Sequence, residues 1–249
     1  MYISYSLWGS NKVYTYGVVE NVLRNKKILP AWKARIHHND TVPENVLTWL
    51  KTQDNVELVH HEGSECKASN MFWRFEDLFL PDTTVLIRDA DSRISDRELG
   101  FIQEWLDSDR DFHFIRDAET HKVCIPGGLL GCRNNCLRYI AGASGLRNVN
   151  LPPLQFHDGL SFMRQFYQNL PAPRDHYNMD QIFLYTYVYP QVVHQSMVHC
   201  SYNAYEPFAR KVDPVDTGFC GEIEKHCPEA TKIFEGEGAE STFERVAAY

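Results

Sequence analysis

"TVLIRDADSRISDRE", residues 84–98, sets four acids and three arginines directly behind a short apolar run. Thr84–Arg88 reads as a buried strand. Ser95-x-x-Glu98 is a capping box, so a helix starts there and runs to about Ser108. If the chain stays extended from Val85 to Asp91, residues 85, 87, 89 and 91 share one face. Asp89 and Asp91 then aim into the same crevice. Arg88 has the opposite parity and reads as half of a structural ion pair on the other face. Two carboxylates about 6 Å apart repel by ~3 kcal/mol at an effective dielectric near 20. Three remedies are open: a shared proton, pairing with Arg93 or Arg88, or a divalent cation. A hard cation with oxygen ligands, Mg²⁺ or Mn²⁺, suits acid-x-acid spacing and leaves positions for phosphate oxygens.

Outward from this stretch, strands and helices alternate. Tyr2–Leu7, Ala34–His38, Val56–His60 and Phe112–Arg116 read as strands, with a late one over Val192–His199. Gly17–Leu29, Pro43–Lys51, Ser69–Leu80, Leu160–Leu170 and Met179–Tyr189 carry helical periodicity. Gly127–Gly131 reads as a turn or short strand, and 145–156 as an irregular loop. The last ~30 residues are weakly patterned and are expected to hug the surface. The alternation predicts an α/β domain with a mostly parallel central sheet flanked by helices. Ligands of such sheets bind beyond the carboxyl ends of the strands, where Asp89 and Asp91 sit.

The chain has 249 residues and a formal net charge of −8. The acidic balance argues against nucleic acid as partner, because phosphate contacts need clustered Lys and Arg. No apolar run approaches the ~20 residues of a membrane span. The first residues lack the basic and apolar regions of a signal peptide, which points to the cytoplasm. Seven cysteines match no zinc spacing and read as reduced, mostly buried thiols. Neither the P-loop nor the G-x-G-x-x-G fingerprint is present.

The acidic stretch has companions: "YSLWGSNKVYTYGVVENV" at the first strand, "ILPAW", "MFWRF", "FHFIRD…H…IPGGLLG", "NMDQIFL…VYP" and "HCSYNAY" followed by "GFCGEI". With "RDADSR", these resemble GT-A-type glycosyltransferases of bacteria and large DNA viruses. Their order is similar to that of glycogenin-like, lipopolysaccharide-building galactosyltransferases. The resemblance covers residues 2–222, leaving 223–249 as a C-terminal extension. It implies a GT-A-like domain that moves a hexosyl or pentosyl group from a UDP- or GDP-sugar to a glycan hydroxyl with Mn²⁺ or Mg²⁺. A viral source would place it in the host cytoplasm.

On the same resemblance, Asp89 and Asp91 hold the metal, with His199 of "HCSY" completing its shell. Asp89 also meets the donor. The loop from Ser6 to Tyr16, with Leu7 and Trp8, holds nucleobase and ribose, and Arg74 reaches the donor. From the local charges alone, Arg93 and Arg97 reach forward to a donor phosphate or back to Glu98 and Asp96. Gly127 and Gly128 lie on the acceptor side. Cys200 stands where "HDSY" would have an acid, and "GGLLG" replaces "GGMWG", removing a tryptophan that stacks on sugar.

Transfer also needs a group near the acceptor hydroxyl, and the candidates are Asp180, Asp117 and Asp158. Asp180 is also a favourable charge at a helix start, and Arg116 reads as the ion-pair partner of Asp117. His37, His38, His60 and His61 read as strand-end or surface histidines. Tyr185, Tyr187 and Tyr189 read as helix packing. Two other function classes fit an acid pair. One is a haloacid-dehalogenase-type phosphatase, which wants the motif on its first strand with Thr or Val where Arg93 stands. The other is a non-catalytic nucleotide-sugar-binding protein.

Overall fold

Strands β1 (Tyr2–Leu7), β2 (Lys33–His38), β3 (Val56–His60), β4 (Val85–Arg88), β5 (Phe112–Arg116), β6 (Leu129–Cys132), β7 (Ser196–Cys200) and β8 (Arg210–Lys211) form one sheet in the order β3-β2-β1-β4-β6-β5-β7-β8. The structure is a computed structural model, and it describes residues 1–63, 67–133, 159–170, 178–202 and 205–245. All pairings are parallel except the two made by β6, which lies antiparallel between β4 and β5. The α/β architecture expected from the alternation is therefore observed.

Side-chain parity divides the core between the two faces. Ile3, Tyr5 and Leu7 of β1, with Leu86 of β4, pack under helices α1 (Lys12–Ile28), α2 (Glu44–Lys51) and α3 (Asp96–Leu106). On the opposite face Val85, Ile87, Phe112, Phe114 and Val198 meet the 3-10 segment Ala68–Phe79 and helix α4 (Gly159–Gln168). The same parity leaves Ser4, Ser6 and Asp89 on this second face. There Ser4 Oγ donates to the Arg74 carbonyl (2.9 Å) and Arg74 N–H donates to Ser6 Oγ (2.9 Å).

Several boundaries differ from the sequence expectation. Helix α1 begins at Lys12, five residues before Gly17, because the Asn11 side chain accepts from Val13 N–H and caps it. The loop after β1 is correspondingly short. Residues 68–79 form a 3-10 rather than an α-helix. Phe72, Phe75 and Leu78 then stack at intervals of three on the buried face, matching that helix's three-residue period. Helix α5 (Met179–Phe183) passes through a π-helical stretch, Leu184–Val188, into α6 (Tyr189–Val192), and a 3-10 turn delays β7 to Ser196. Pro190 has no N–H for a regular helical bond there. Tyr187 is buried in the core as expected, whereas Tyr185 is 64% exposed.

The chain after 222 is more than a surface layer. Helix α7 (Pro228–Glu235) lies on α1, with Ala230 N–H donating to Glu20 (2.9 Å) and Phe234 against Tyr16. Cys227 and Ala230 are fully buried. Cys124, Cys200, Cys220 and Cys227 are buried thiols, but Cys132 is disulfide-bonded, which corrects the expectation of thiols throughout. Cys66, Cys136, Asp158 and the loop 145–156 lie outside the described residues. Among those described, no helix is long and apolar enough to cross a membrane.

Candidate active site

Beyond the carboxyl ends of β1 and β4 lies a cleft of about 550 Å³. This is a topological switch point, since β2 and β3 continue from β1 on one side and β4 starts the other half of the sheet. Ser6 and Trp8 from β1 and its loop, Asp89 and Asp91 from the end of β4, Arg74, Gly128 and Asp180 line it. The loop between the acids is clamped from behind by α1. Asn21 donates to the Ala90 carbonyl (3.3 Å), Arg24 donates to the Ile94 carbonyl (2.7 Å), and a Cβ on Gly17 would lie 2.4 Å from the Ala90 oxygen.

Arg74 is the hub of the acidic side chains. Its Nη1 is paired with Asp89 and its Nη2 lies 3.3 Å from Asp180 Oδ2. Burial works most strongly on the Asp89 carboxyl, against the anion, but the charge and hydrogen bond of Arg74, together with the charges of Arg245 and Arg88, outweigh it, and the carboxyl titrates below its ordinary value. Asp91 goes the other way. Burial, then the charge of Asp89, pushes its carboxyl up to about 6, although Arg245 approaches to 3.6 Å. Asp180 is also raised, by burial against the pull of Arg74, and its Oδ1 accepts from Gln181 N–H (2.9 Å). Thus the repulsion anticipated for the pair is partly met by an arginine, but by Arg74 rather than Arg88 or Arg93. Asp91 is left with the larger share.

Arg88 instead points through the sheet to Glu98 (Nε–Oε1 2.5 Å), as its parity predicts. Arg93 turns back under α1 and donates to the carbonyls of Ala90 (3.2 Å) and Ser92 (2.9 Å) and toward Cys227 Sγ (3.4 Å). It is not among the side chains lining the cleft. Leu7 is likewise outside it, since it alternates with Ser6 into the α1-side core. Tyr16, carried inward by the early start of α1, packs on Phe234 and donates its hydroxyl to Glu235 (2.5 Å). Tyr14 lines the cleft in its stead.

His199 does not assemble with Asp89 and Asp91. Val198 and Cys200 face the second core, so His199 takes the other face of β7. There it meets His113 (2.9 Å) and Glu104 (3.1 Å). Asp117 is fully buried and closed off by Arg97 (2.8 Å) and Cys220 N–H (3.1 Å). Its partner is Arg97 and not Arg116, which pairs with Glu206. Of the candidate proton-transfer groups described, only Asp180 reaches the cleft.

Gly128 meets Asp89 because β6 runs antiparallel to β4 with Leu129 opposite Arg88. A Cβ on Gly128 would fall 1.9 Å from Asp89 Oδ2 and 2.7 Å from its Cγ. A Cβ on Gly127 would meet the amide end of Gln181 at 2.3 Å, and that longer side chain can swing. Gly128→Ala should therefore cost about 1–3 kcal/mol as overpacking and lower Tm by roughly 2–12 °C. Gly127→Ala should cost less, as paired thermal melts would show. Equal melts for the two variants would contradict this geometry.

Sequence reasoning also missed Gln181, Asn178, His121 and Arg245, all of which line the cleft. Asn178 holds φ +77° directly before α5. Arg245 arrives from the C-terminal segment, where its Nε donates to the Tyr14 hydroxyl (2.8 Å) beside Asp91. Gln181 and Asn178 flank Asp180 in "NMDQ", which was a usable signal. Nothing local marks Arg245.

No family model matches this chain, and no curated protein matches it. Among solved structures it is similar to S. aureus TarS residues 1–349 (11% identity, 46% of this chain, 34% of that one, TM-score 0.35). It is similar to the galactosyltransferase LgtC in complex with donor and acceptor sugar analogues (13%, 53% and 58%, TM-score 0.36). A third is the bifunctional IspDF from Campylobacter jejuni (12%, 66% and 46%, TM-score 0.36). The matched regions span 34%, 58% and 46% of those chains.

Proposed function

We propose that the cleft at the β1/β4 switch point binds a nucleoside diphosphate together with a divalent cation. More particularly, the chain is a glycosyltransferase that moves a hexosyl or pentosyl unit from a UDP- or GDP-sugar to a hydroxyl of a glycan acceptor. The observation that carries this reading is the acid pair. Asp89 and Asp91 open into one cleft, one held ionised by Arg74 and the other burdened by its neighbour's charge. A hard cation fits such a donor set and relieves its repulsion. Gly128, with no Cβ, leaves the Asp89 carboxylate the space it occupies.

Asp89 and Asp91 would hold Mn²⁺ or Mg²⁺, whose chemistry is Lewis-acid stabilisation of the charge developing on the departing diphosphate. Among the described residues, no third His, Cys, Asp or Glu groups with this pair within 4.8 Å. Water and the diphosphate oxygens would supply the other ligands. Arg74 fixes the orientation of both Asp89 and Asp180, and Arg245 adds positive charge at the rim of a chain that is acidic overall. Trp8 and Tyr14 offer ring faces for a nucleobase or sugar. Asp180, with its carboxyl raised by burial, is the group suited to accept the acceptor's proton. Residues 1–222 form the catalytic domain in this reading, and 223–249 an extension that brings Arg245 to the donor.

Thermal melts with a panel of nucleoside diphosphates, with and without Mn²⁺, test the donor site. At 100 times its dissociation constant, a ligand adds about 2.7 kcal/mol, or roughly 5–11 °C. Asp91→Ala should remove the Mn²⁺-dependent part and abolish release of nucleoside diphosphate from the matching sugar donor. The absence of any Mn²⁺-dependent shift across the panel would sink the donor reading. Binding without turnover would leave a nucleotide-sugar-binding protein.

A further inference from the structure

At the carboxyl ends of β2 and β3, on the same edge of the sheet as the acid pair but on the other side of β1, the sequence doublets His37-His38 and His60-His61 come together. The strands are parallel with His38 opposite His60. His37 is 1% exposed, and its Nδ1 lies 2.9 Å from Nε2 of His61. Glu76, from the 3-10 segment, completes a group whose ligand atoms all lie within 4.8 Å of one another. Among the described residues no other three such side chains converge this closely.

We infer that His37 Nδ1, His61 Nε2 and a Glu76 carboxylate oxygen bind a zinc-class divalent ion.

Each ligand is held in place by a separate neighbour. The buried Asp77 carboxylate lies 3.1 Å from His37 Nε2 and is itself braced by Arg35 at 2.9 Å. The negative charge of Asp77 beside Nε2 favours the proton on that nitrogen, which leaves the lone pair on Nδ1, the atom nearest His61. Metal-bound histidines are commonly oriented by a carboxylate in this way. The His61 ring stacks on Trp73, with centroids 4.5 Å apart and planes 6° apart, which fixes its direction. Arg164 holds Glu76 through both oxygens (3.0 and 2.5 Å), and the Tyr167 hydroxyl donates to Oε1 (2.9 Å). A carboxylate offers about four lone-pair sites. These bonds use three, and the free one is on Oε2.

With the His37 proton on Nε2 and no ion bound, the 2.9 Å contact requires His61 Nε2–H as the donor to His37 Nδ1. With one, that proton is displaced, His61 carries its hydrogen on Nδ1, and both lone pairs face the metal. Two imidazoles and one carboxylate suit Zn²⁺, and the fourth position stays open to water. Such an ion would tie the ends of β2 and β3 to the 3-10 segment. Trp73, stacked on His61, meets Trp8 edge-on at 6.3 Å, and Trp8 lines the cleft. The proposal does not depend on the donor reading.

The test is metal content of the full chain, stripped with a chelator, titrated with Zn²⁺ and dialysed, with Co²⁺ as the spectroscopic substitute. One Zn²⁺ per chain and the visible bands of four-coordinate Co²⁺ are expected. Both should persist in the Asp89→Asn, Asp91→Asn double variant. His61→Ala should weaken binding at least a hundredfold, and because His61 is only part-buried this variant keeps the fold testable by circular dichroism. Loss of the ion in the Asp89/Asp91 variant with retention in His61→Ala would overturn the inference. So would an absence of stoichiometric Zn²⁺ in the unaltered chain, which would leave His37 and His61 as a plain hydrogen-bonded pair beside Asp77.

Discussion

Arg74→Ala should destabilise the fold by about 3–5 kcal/mol, a fall in Tm of roughly 6–20 °C, and abolish ligand binding in the cleft. Arg74 is 5% exposed and, among the described residues, is the cation bonded to both Asp89 and Asp180. Its removal strands two carboxylates beside a third, Asp91, that already resists ionisation. Like charges about 6 Å apart repel by ~3 kcal/mol at an effective dielectric near 20. The loss should therefore be mostly electrostatic. Adding Asp180→Asn to Arg74→Ala should restore part of the stability but none of the binding. Urea unfolding of the single and double variants checks both statements. A single variant within 0.5 kcal/mol of the parent would show that the three side chains are not coupled.

The second large effect lies on the opposite face of β4. Arg88 and Glu98 are both almost wholly buried, with Arg88 also donating to the carbonyls of Ile87 (2.7 Å) and Leu130 (3.1 Å). Burial pushes the Glu98 carboxyl up despite the Arg88 charge beside it, so desolvation offsets much of the attraction. Removing either partner leaves a buried charge uncompensated. Arg88→Met and Glu98→Leu should each cost about 3–5 kcal/mol. The double variant Arg88→Met, Glu98→Leu should return close to the parent stability, because well-packed apolar replacements of buried pairs are often neutral or better. The double-mutant cycle in denaturant reads the coupling directly. Additive losses would mean that the pair is not energetically linked.

Much of the frame was legible. Short apolar runs separated by helical periods identify an α/β sheet, because a strand repeats every two residues and a helix every 3.6. Parity alone put Arg88 and Asp89 on opposite faces, and the structure keeps them there. The capping box at Ser95 was equally local, with Ser95 Oγ accepting from Glu98 N–H (3.2 Å). Asn11, by contrast, was a cap overlooked for a run of apolar residues further on, and that error displaced Tyr16 and Tyr14.

Partnership across the chain was not legible. His199 stood in the right motif but on the wrong face of its strand, because core packing by Val198 and Cys200 claimed the other one. Arg74 reached Asp180, 106 residues away, and Arg245 reached Asp91 from the C-terminal segment. His37 and His61 read as unremarkable strand ends until parallel pairing of β2 and β3 set them side by side.

By itself the sequence determined the α/β alternation, the acid-x-acid loop at the end of β4 and the side of the sheet that each strand residue takes. These follow from backbone periodicity, which acts over a few residues. Tertiary structure alone decided which charges share Arg74, which glycine makes room for Asp89, and that the acid pair faces a cleft without His199. Those outcomes depend on strand order and on an antiparallel β6 between β4 and β5, and no local pattern encodes which strand will be a neighbour.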